Sequence, residues 1–206
     1  MALVRLNRKD IEKITGITSS EKLDETLSMF GAAVDKKAEE IVVENPANRP
    51  DLLSQKGIER ALKSYLGKEK GLKNYKLKKP EKDYVVTVEN SVKEIRPFTV
   101  CAIVKNLRLN NEKIKEIIDL QEKLHTTLGR NRKKCAIGVY PLEKIKLPII
   151  YKAEKPDKIR FKPLDYDREL NGYEILKKHP TGKDYAHLLN NLKMFPVFLD
   201  SNSKVL

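Results

Sequence analysis

The sequence predicts an α/β protein: a small α+β N-terminal domain followed by a mixed α/β domain that is incomplete at its C-terminus. Three observations carry this. Apolar residues recur at helical spacing in several separated windows, short β-branched runs stand between them, and glycine or proline closes most windows. The 206 residues suffice for one large domain or two small ones, and a hydrophobic content of 40% can fill a core.

Residues 8–14 read as a first helix. Ser19 or Ser20 caps a second, with Leu23, Leu27 and Phe30 on one side and Gly31 as its end. Ile41-Val42-Val43 is β-branched and predicts a strand. Asn45-Pro46-Ala47-Asn48-Arg49-Pro50-Asp51 is dense in turn formers. A third helix follows, with Leu52, Leu53, Ile58, Ala61, Leu62, Tyr65 and Leu66 as its apolar face and Gly67 as its stop. Residues 67–83 are rich in Lys, Gly and Pro without an apolar period, so they read as a linker, partly extended at Tyr75 and Leu77. The expected domains are therefore 1–66 and 84–206, with 67–83 between them.

In the second domain, residues 84–88 and 98–104 predict strands. The strongest helix spans 110–128, where Ile114, Ile117, Ile118, Gln121, Leu124 and Leu128 form one stripe and Asn110 or Asn111 is the cap. Strands are expected at 135–140 and 148–151, and a third at 159–161. Residues 173–178 form a short helix ended by Pro180, 185–189 another, 197–199 a strand and 200–203 a turn. Val205-Leu206 would enter the next strand, which is why the domain is expected to be unfinished.

Charge narrows the function classes. The formal net charge is +13, from 42 Lys plus Arg against 29 Asp plus Glu. Such a surface favours nucleic acid or an acidic partner. Scattered lysines also fit a lysine-rich proteome, but a cluster fits it less well. Arg130, Arg132, Lys133 and Lys134 put four cations into five residues, just after the long helix and its Gly129 stop. These four are the expected backbone-phosphate contacts. Aromatic content of 6% without Trp argues against a base-stacking platform and leaves recognition of a folded RNA by shape and backbone.

Motifs for chemistry are absent. There is no HExxH, no GxSxG and no phosphate-binding glycine loop. His125 lies on or beside the apolar stripe of the long helix and reads as structural; His179 sits at a helix end, and His187 either packs or faces a cleft. Asp165, Asp167 and Glu169 alternate, but read as a polar turn rather than an Mg²⁺ site. Cys101 and Cys135 sit in apolar runs and read as small buried hydrophobes, with no disulfide or zinc spacing. Charges within the first ten residues leave no apolar leader, and no run approaches the ~20 apolar residues of a membrane span. A cytoplasmic location without membrane contact is expected.

Three passages carry a family resemblance: Val43 to Ser54 (VENPANRPDLLS) with Gly57 to Leu62 (GIERAL), Arg96 to Ala102 (RPFTVCA), and Asp119 to Tyr140 continuing to His179–Leu189 (HPTGKDYAHLL). In this order they resemble the beta chain of archaeal and eukaryotic phenylalanine–tRNA ligase, namely its N-terminal domain and the start of its tRNA-editing domain. The resemblance implies a heterotetramer of two alpha and two beta chains. The alpha chain would carry ATP-dependent attachment of phenylalanine, with ATP and Mg²⁺ used by the holoenzyme and no cofactor bound by this segment. The beta chain would bind tRNA(Phe) and hydrolyse mischarged tyrosyl-tRNA(Phe), because a pocket for Phe excludes Tyr too weakly.

Two departures stand out. Val139-Tyr140-Pro141 occupies the place where the family usually shows a His-Asp pair. The polar residues of the editing pocket would also lie beyond Leu206, leaving Leu199 as the one expected pocket wall and no catalytic residue in the chain. Competing expectations are a free-standing RNA-binding or trans-editing protein, and a non-catalytic scaffold.

Overall fold

A computed structural model of the chain describes residues 2–35, 41–46 and 48–206. The chain divides into two compact units, Met1–Tyr75 with Leu107–Ile137 and Lys76–Asn106 with Gly138–Leu206. The long helix groups with the first unit, whereas composition grouped it with 84–206.

The first unit begins with β1 (Ala2–Leu6), a strand the sequence analysis does not predict; its run Ala-Leu-Val-Arg-Leu carries a single charge at Arg5. α1 (Arg8–Thr15) and α2 (Ser20–Met29) follow, then β2 (Ala33–Asp35) and β3 (Ile41–Asn45). The sheet order is β1-β3-β2, all antiparallel, with Val4 opposite Val43 and Leu6 opposite Ile41. Alternation fixes the register: Ile41, Val43 and Asn45 point inward, and a one-residue slip would turn them to water. α1 and α2 start where Asn7 and Ser19 accept N–H bonds from Asp10 and Lys22. Their buried Ile11, Leu23 and Leu27 pack with Val4, Leu6, Val43, Ile58 and Leu62 in one core.

The turn after β3 is built by its own motif, apart from Ala47, which lies outside the described residues. Asn45 is buried, and its Nδ2 donates to the Leu52 carbonyl at 2.7 Å. Arg49 grips Asp51 through two hydrogen bonds of 3.0 and 2.8 Å beside a 3₁₀ turn at Pro50–Leu52. Ser54 then caps α3 (Gln55–Tyr65) by accepting from the Gly57 N–H. A Cβ at Gly57 would stand 2.1 Å from the Asp51 carbonyl oxygen, so only glycine fits there.

In the second unit β4 (Val86–Val88) runs parallel to β5 (Ile149–Glu154), and β8 (Phe195–Leu199) runs antiparallel on the other side of β5. A small hairpin pairs β6 (Arg160–Phe161) with β7 (Leu170–Asn171). One sheet face packs Tyr151 and Ala153 on Val92; Tyr151 stacks on Phe198 at 4.3 Å and donates its hydroxyl to the Arg96 carbonyl at 2.8 Å. Burial pushes the Tyr151 phenol up. The other face packs Phe195 and Val197 on Ile159, Leu176 and Leu189. α5 (Gly172–Lys178) opens with a reciprocal Asn171–Glu174 capping box.

Several sequence expectations are corrected. Residues 98–104 and 135–140 form no strand among the described residues, and Phe98 and Val100 are 91% and 98% exposed. Their β-branched composition favours a pleated surface, but a strand also needs a ladder partner and a buried face, and neither is supplied. For the same reason Cys101 is exposed and Cys135 only half-buried, rather than core residues. The long helix, α4 (Asn111–Thr126), has the expected Asn110 cap, yet Ile114, Ile118 and Leu128 of its stripe are exposed. Pro180 does not merely stop a helix. It opens α6 (Pro180–Tyr185), so residues 185–189 hold only a 3₁₀ turn at Ala186–Leu188.

Candidate nucleic-acid interface

The basic loop grows directly from the C-terminal end of α4. His125 is completely buried there; its Nε2 accepts the Ile137 N–H at 2.7 Å, and its Nδ1 faces Glu122 Oε1 at 3.3 Å. It is the structural histidine that the sequence predicts. The chain then folds back on the helix end. Arg130, Asn131 and Arg132 all take positive φ, at 49°, 52° and 65°. Non-glycine residues adopt this region at a cost of roughly 1–2 kcal/mol each. The cost is offset by hydrogen bonds to carbonyls in the last helical turn and just beyond it. Arg132 N–H donates to the His125 carbonyl at 3.0 Å, and Lys134 N–H to the Gly129 carbonyl at 2.8 Å. Gly129 makes the fold-back possible, since a Cβ would lie 2.6 Å from the His125 oxygen and 2.8 Å from that of Cys135.

This geometry divides the four cations. Arg132 is half-buried and places Nη2 2.6 Å from Glu122 Oε1, so its charge serves the loop. Arg130, Lys133 and Lys134 are exposed. Cations at a helix C-terminus also suit the negative end of its dipole. The loop thus presents three solvent-facing charges on a backbone fixed by hydrogen bonds.

A second feature lies on the sheet of the other unit. A cavity of about 200 Å³ has an apolar floor of Ile159, Val197, Leu199 and Val205 and a polar rim of Lys152, Lys158, Arg160, Glu154 and Ser203. Leu199 is half-buried, pairs with Ile150 in the ladder and bridges Val205 across the closing turn. That turn is tied by Asp200, whose Oδ1 accepts the Asn202 and Lys204 N–H groups at 2.9 Å each. Lys152 pairs with Glu154 at 2.9 Å. The hydrogen bond from Lys152, the Lys155 N–H and the nearby Lys158 hold the Glu154 carboxyl below its ordinary range, so it is a weak base. Three cations against one carboxylate suit a ligand with an apolar body and an anionic group. No His, Cys or Asp lines the cavity.

The sequence reading reached Leu199 but not the cationic rim. The rim is assembled by strand pairing, which places Val197 opposite Lys152. Of the other histidines, His179 Nε2 contacts the Leu164 carbonyl at 3.1 Å and His187 is exposed. Among the described residues no group of three His, Cys, Asp or Glu could hold a metal ion. None of the described helices is long and apolar enough to cross a membrane.

Fold and site together define a two-unit α/β protein with a cationic loop suited to a phosphate-bearing partner. No protein-family model matches the chain. Curated relatives do. The phenylalanine–tRNA ligase beta subunit of Methanothrix thermoacetophila is 42% identical over 208 residues, which takes in 100% of this chain and 38% of that protein. The corresponding subunit of Archaeoglobus fulgidus is 42% identical over 207 residues, covering 100% of this chain and 37% of its own length. A crystal structure of an N-terminal fragment of the phenylalanyl-tRNA synthetase beta-subunit from Pyrococcus horikoshii superposes with a TM-score of 0.85 at 36% identity, over 99% of this chain and 59% of that one. The chain belongs to the archaeal phenylalanine–tRNA ligase beta-subunit family, matching its N-terminal part. It spans well under half the length of these curated relatives.

Proposed function

We propose that this chain is the tRNA-facing N-terminal part of a beta subunit that works with an alpha subunit in charging tRNA(Phe) with phenylalanine. In this reading it also helps frame a pocket that removes tyrosine from mischarged tRNA(Phe). The similarity to beta subunits over the whole chain carries the proposal. The exposed Arg130, Lys133 and Lys134 support the tRNA contact, and the position of Leu199 on the cavity floor supports its place in a pocket wall. In this reading the adenylate chemistry is the alpha subunit's, as the family resemblance implies.

An apolar wall discriminates modestly: lost contacts in a pocket of this kind change specificity about 10- to 200-fold. Leu199→Ala in the assembled enzyme should lower kcat/KM for tyrosyl-tRNA deacylation about tenfold and leave phenylalanylation intact. Equal loss of both activities, with unchanged thermal stability, would remove Leu199 from an editing role.

A further inference from the structure

Residues 76–82, Lys-Leu-Lys-Lys-Pro-Glu-Lys, are exposed throughout and join no helix or strand. Pro80 disfavours the helical region at Lys79, and the chain turns only at its end, where the Tyr84 N–H donates to the Glu81 carbonyl at 3.0 Å. Lys76, Lys78, Lys79 and Lys82 make no ion pair among the described residues. The carboxylate within the segment does not cancel them. Glu81 is bound by Lys105, whose ammonium also lies 4.9 Å from the centre of the Tyr84 ring. Four lysines are therefore displayed over seven residues, with Asp83 the one acid directly adjoining the segment in sequence.

We propose that residues 76–82 form a second phosphate-contacting strip for RNA, in addition to the loop at Arg130. An extended chain advances roughly 3.3 Å per residue, which spreads point charges along a line as a nucleic-acid backbone does. Lysine suits this use, because its flexible ammonium neutralises phosphate without demanding a fixed geometry. An acidic protein partner fits less well, since a stable protein interface needs a buried apolar centre and the strip offers only Leu77. The proposal rests on the tRNA reading above.

The test is the salt dependence of tRNA(Phe) binding for the 206-residue chain and for a Lys76→Gln/Lys78→Gln/Lys79→Gln variant. The variant should lower the magnitude of the slope of log K against log salt by about 2–3 and weaken binding roughly tenfold at about 0.15 M salt. The substituted residues are exposed, so the fold is unaffected. An unchanged slope, with the native chain still binding tRNA, removes the strip and leaves the tRNA reading standing. No tRNA binding by the native chain removes both. Polyglutamate bound as tightly as tRNA, and lost equally in the variant, overturns the strip in favour of an acidic protein.

Discussion

At the scale of single residues, the Arg49–Asp51 pair shows how a family motif is spent on local structure. Hydrogen bonding from Arg49 holds the Asp51 carboxyl below its ordinary value and raises the Arg49 guanidinium in turn. The folded Asp51 value lies below the unfolded one, near 3.9, so the pair's contribution is fully present above that pH. It is lost as pH falls through the lowered folded value. Acid unfolding of native protein and Asp51→Asn, followed in urea from pH 6 to about 2.5, should therefore converge at the acid end and diverge above pH ~4. Parallel curves would show that the pair contributes nothing. The pair is partly exposed, so the difference will be small. Glu122 does similar local work in the basic loop. It meets both His125 and Arg132, so Arg132 is paired with a carboxylate while Arg130, Lys133 and Lys134 stand exposed. A sequence shows four adjacent cations; it does not show which of them folds back onto a carboxylate ten residues earlier.

At the scale of elements, the turn from β3 into α3 acts as one unit. Gly57 lets the helix start press against the Asp51 carbonyl, and Ser54, Asn45 and Arg49 hold the rest. Gly57→Ala should destabilise the protein by about 3 kcal/mol, at the upper end of ordinary overpacking, with a matching fall in Tm by calorimetry. A shift below ~1 kcal/mol would mean that the turn yields easily. The helices were the most legible elements, since caps at Ser19 and Asn110 mark two starts and apolar spacing marks their course, although Leu52 and Leu53, expected in the third helix, precede its Ser54 cap. Strands were legible where a β-branched run met a partner, as at Ile41–Asn45 and Ile149–Glu154. Residues 98–104 look equally strand-like in composition. Propensity is local, whereas a ladder needs a neighbour that the local sequence does not name. β1 is legible only through its pairing with β3: in this short run the buried Val4 and Leu6 alternate with the exposed Leu3 and Arg5, a pattern too brief to stand out in the sequence. The cavity rim was hidden in the same way, because Lys152 meets Val197 across a ladder spanning 45 residues of chain.

At the scale of the whole molecule, the chain joins a fold shared with phenylalanine–tRNA ligase beta subunits to a formal net charge of +13. The proposed tRNA contact runs through defined residues rather than through diffuse lysine content. The most direct measurement is the salt dependence of tRNA(Phe) affinity for the native chain and for an Arg130→Gln/Lys133→Gln/Lys134→Gln variant. Arg132→Gln serves as the comparison. Loss of three phosphate contacts should reduce the slope magnitude by about 2–3, whereas Arg132→Gln should lower thermal stability and leave the slope nearly unchanged. Native-like slopes in the triple variant, with the fold intact by circular dichroism, would contradict the claim.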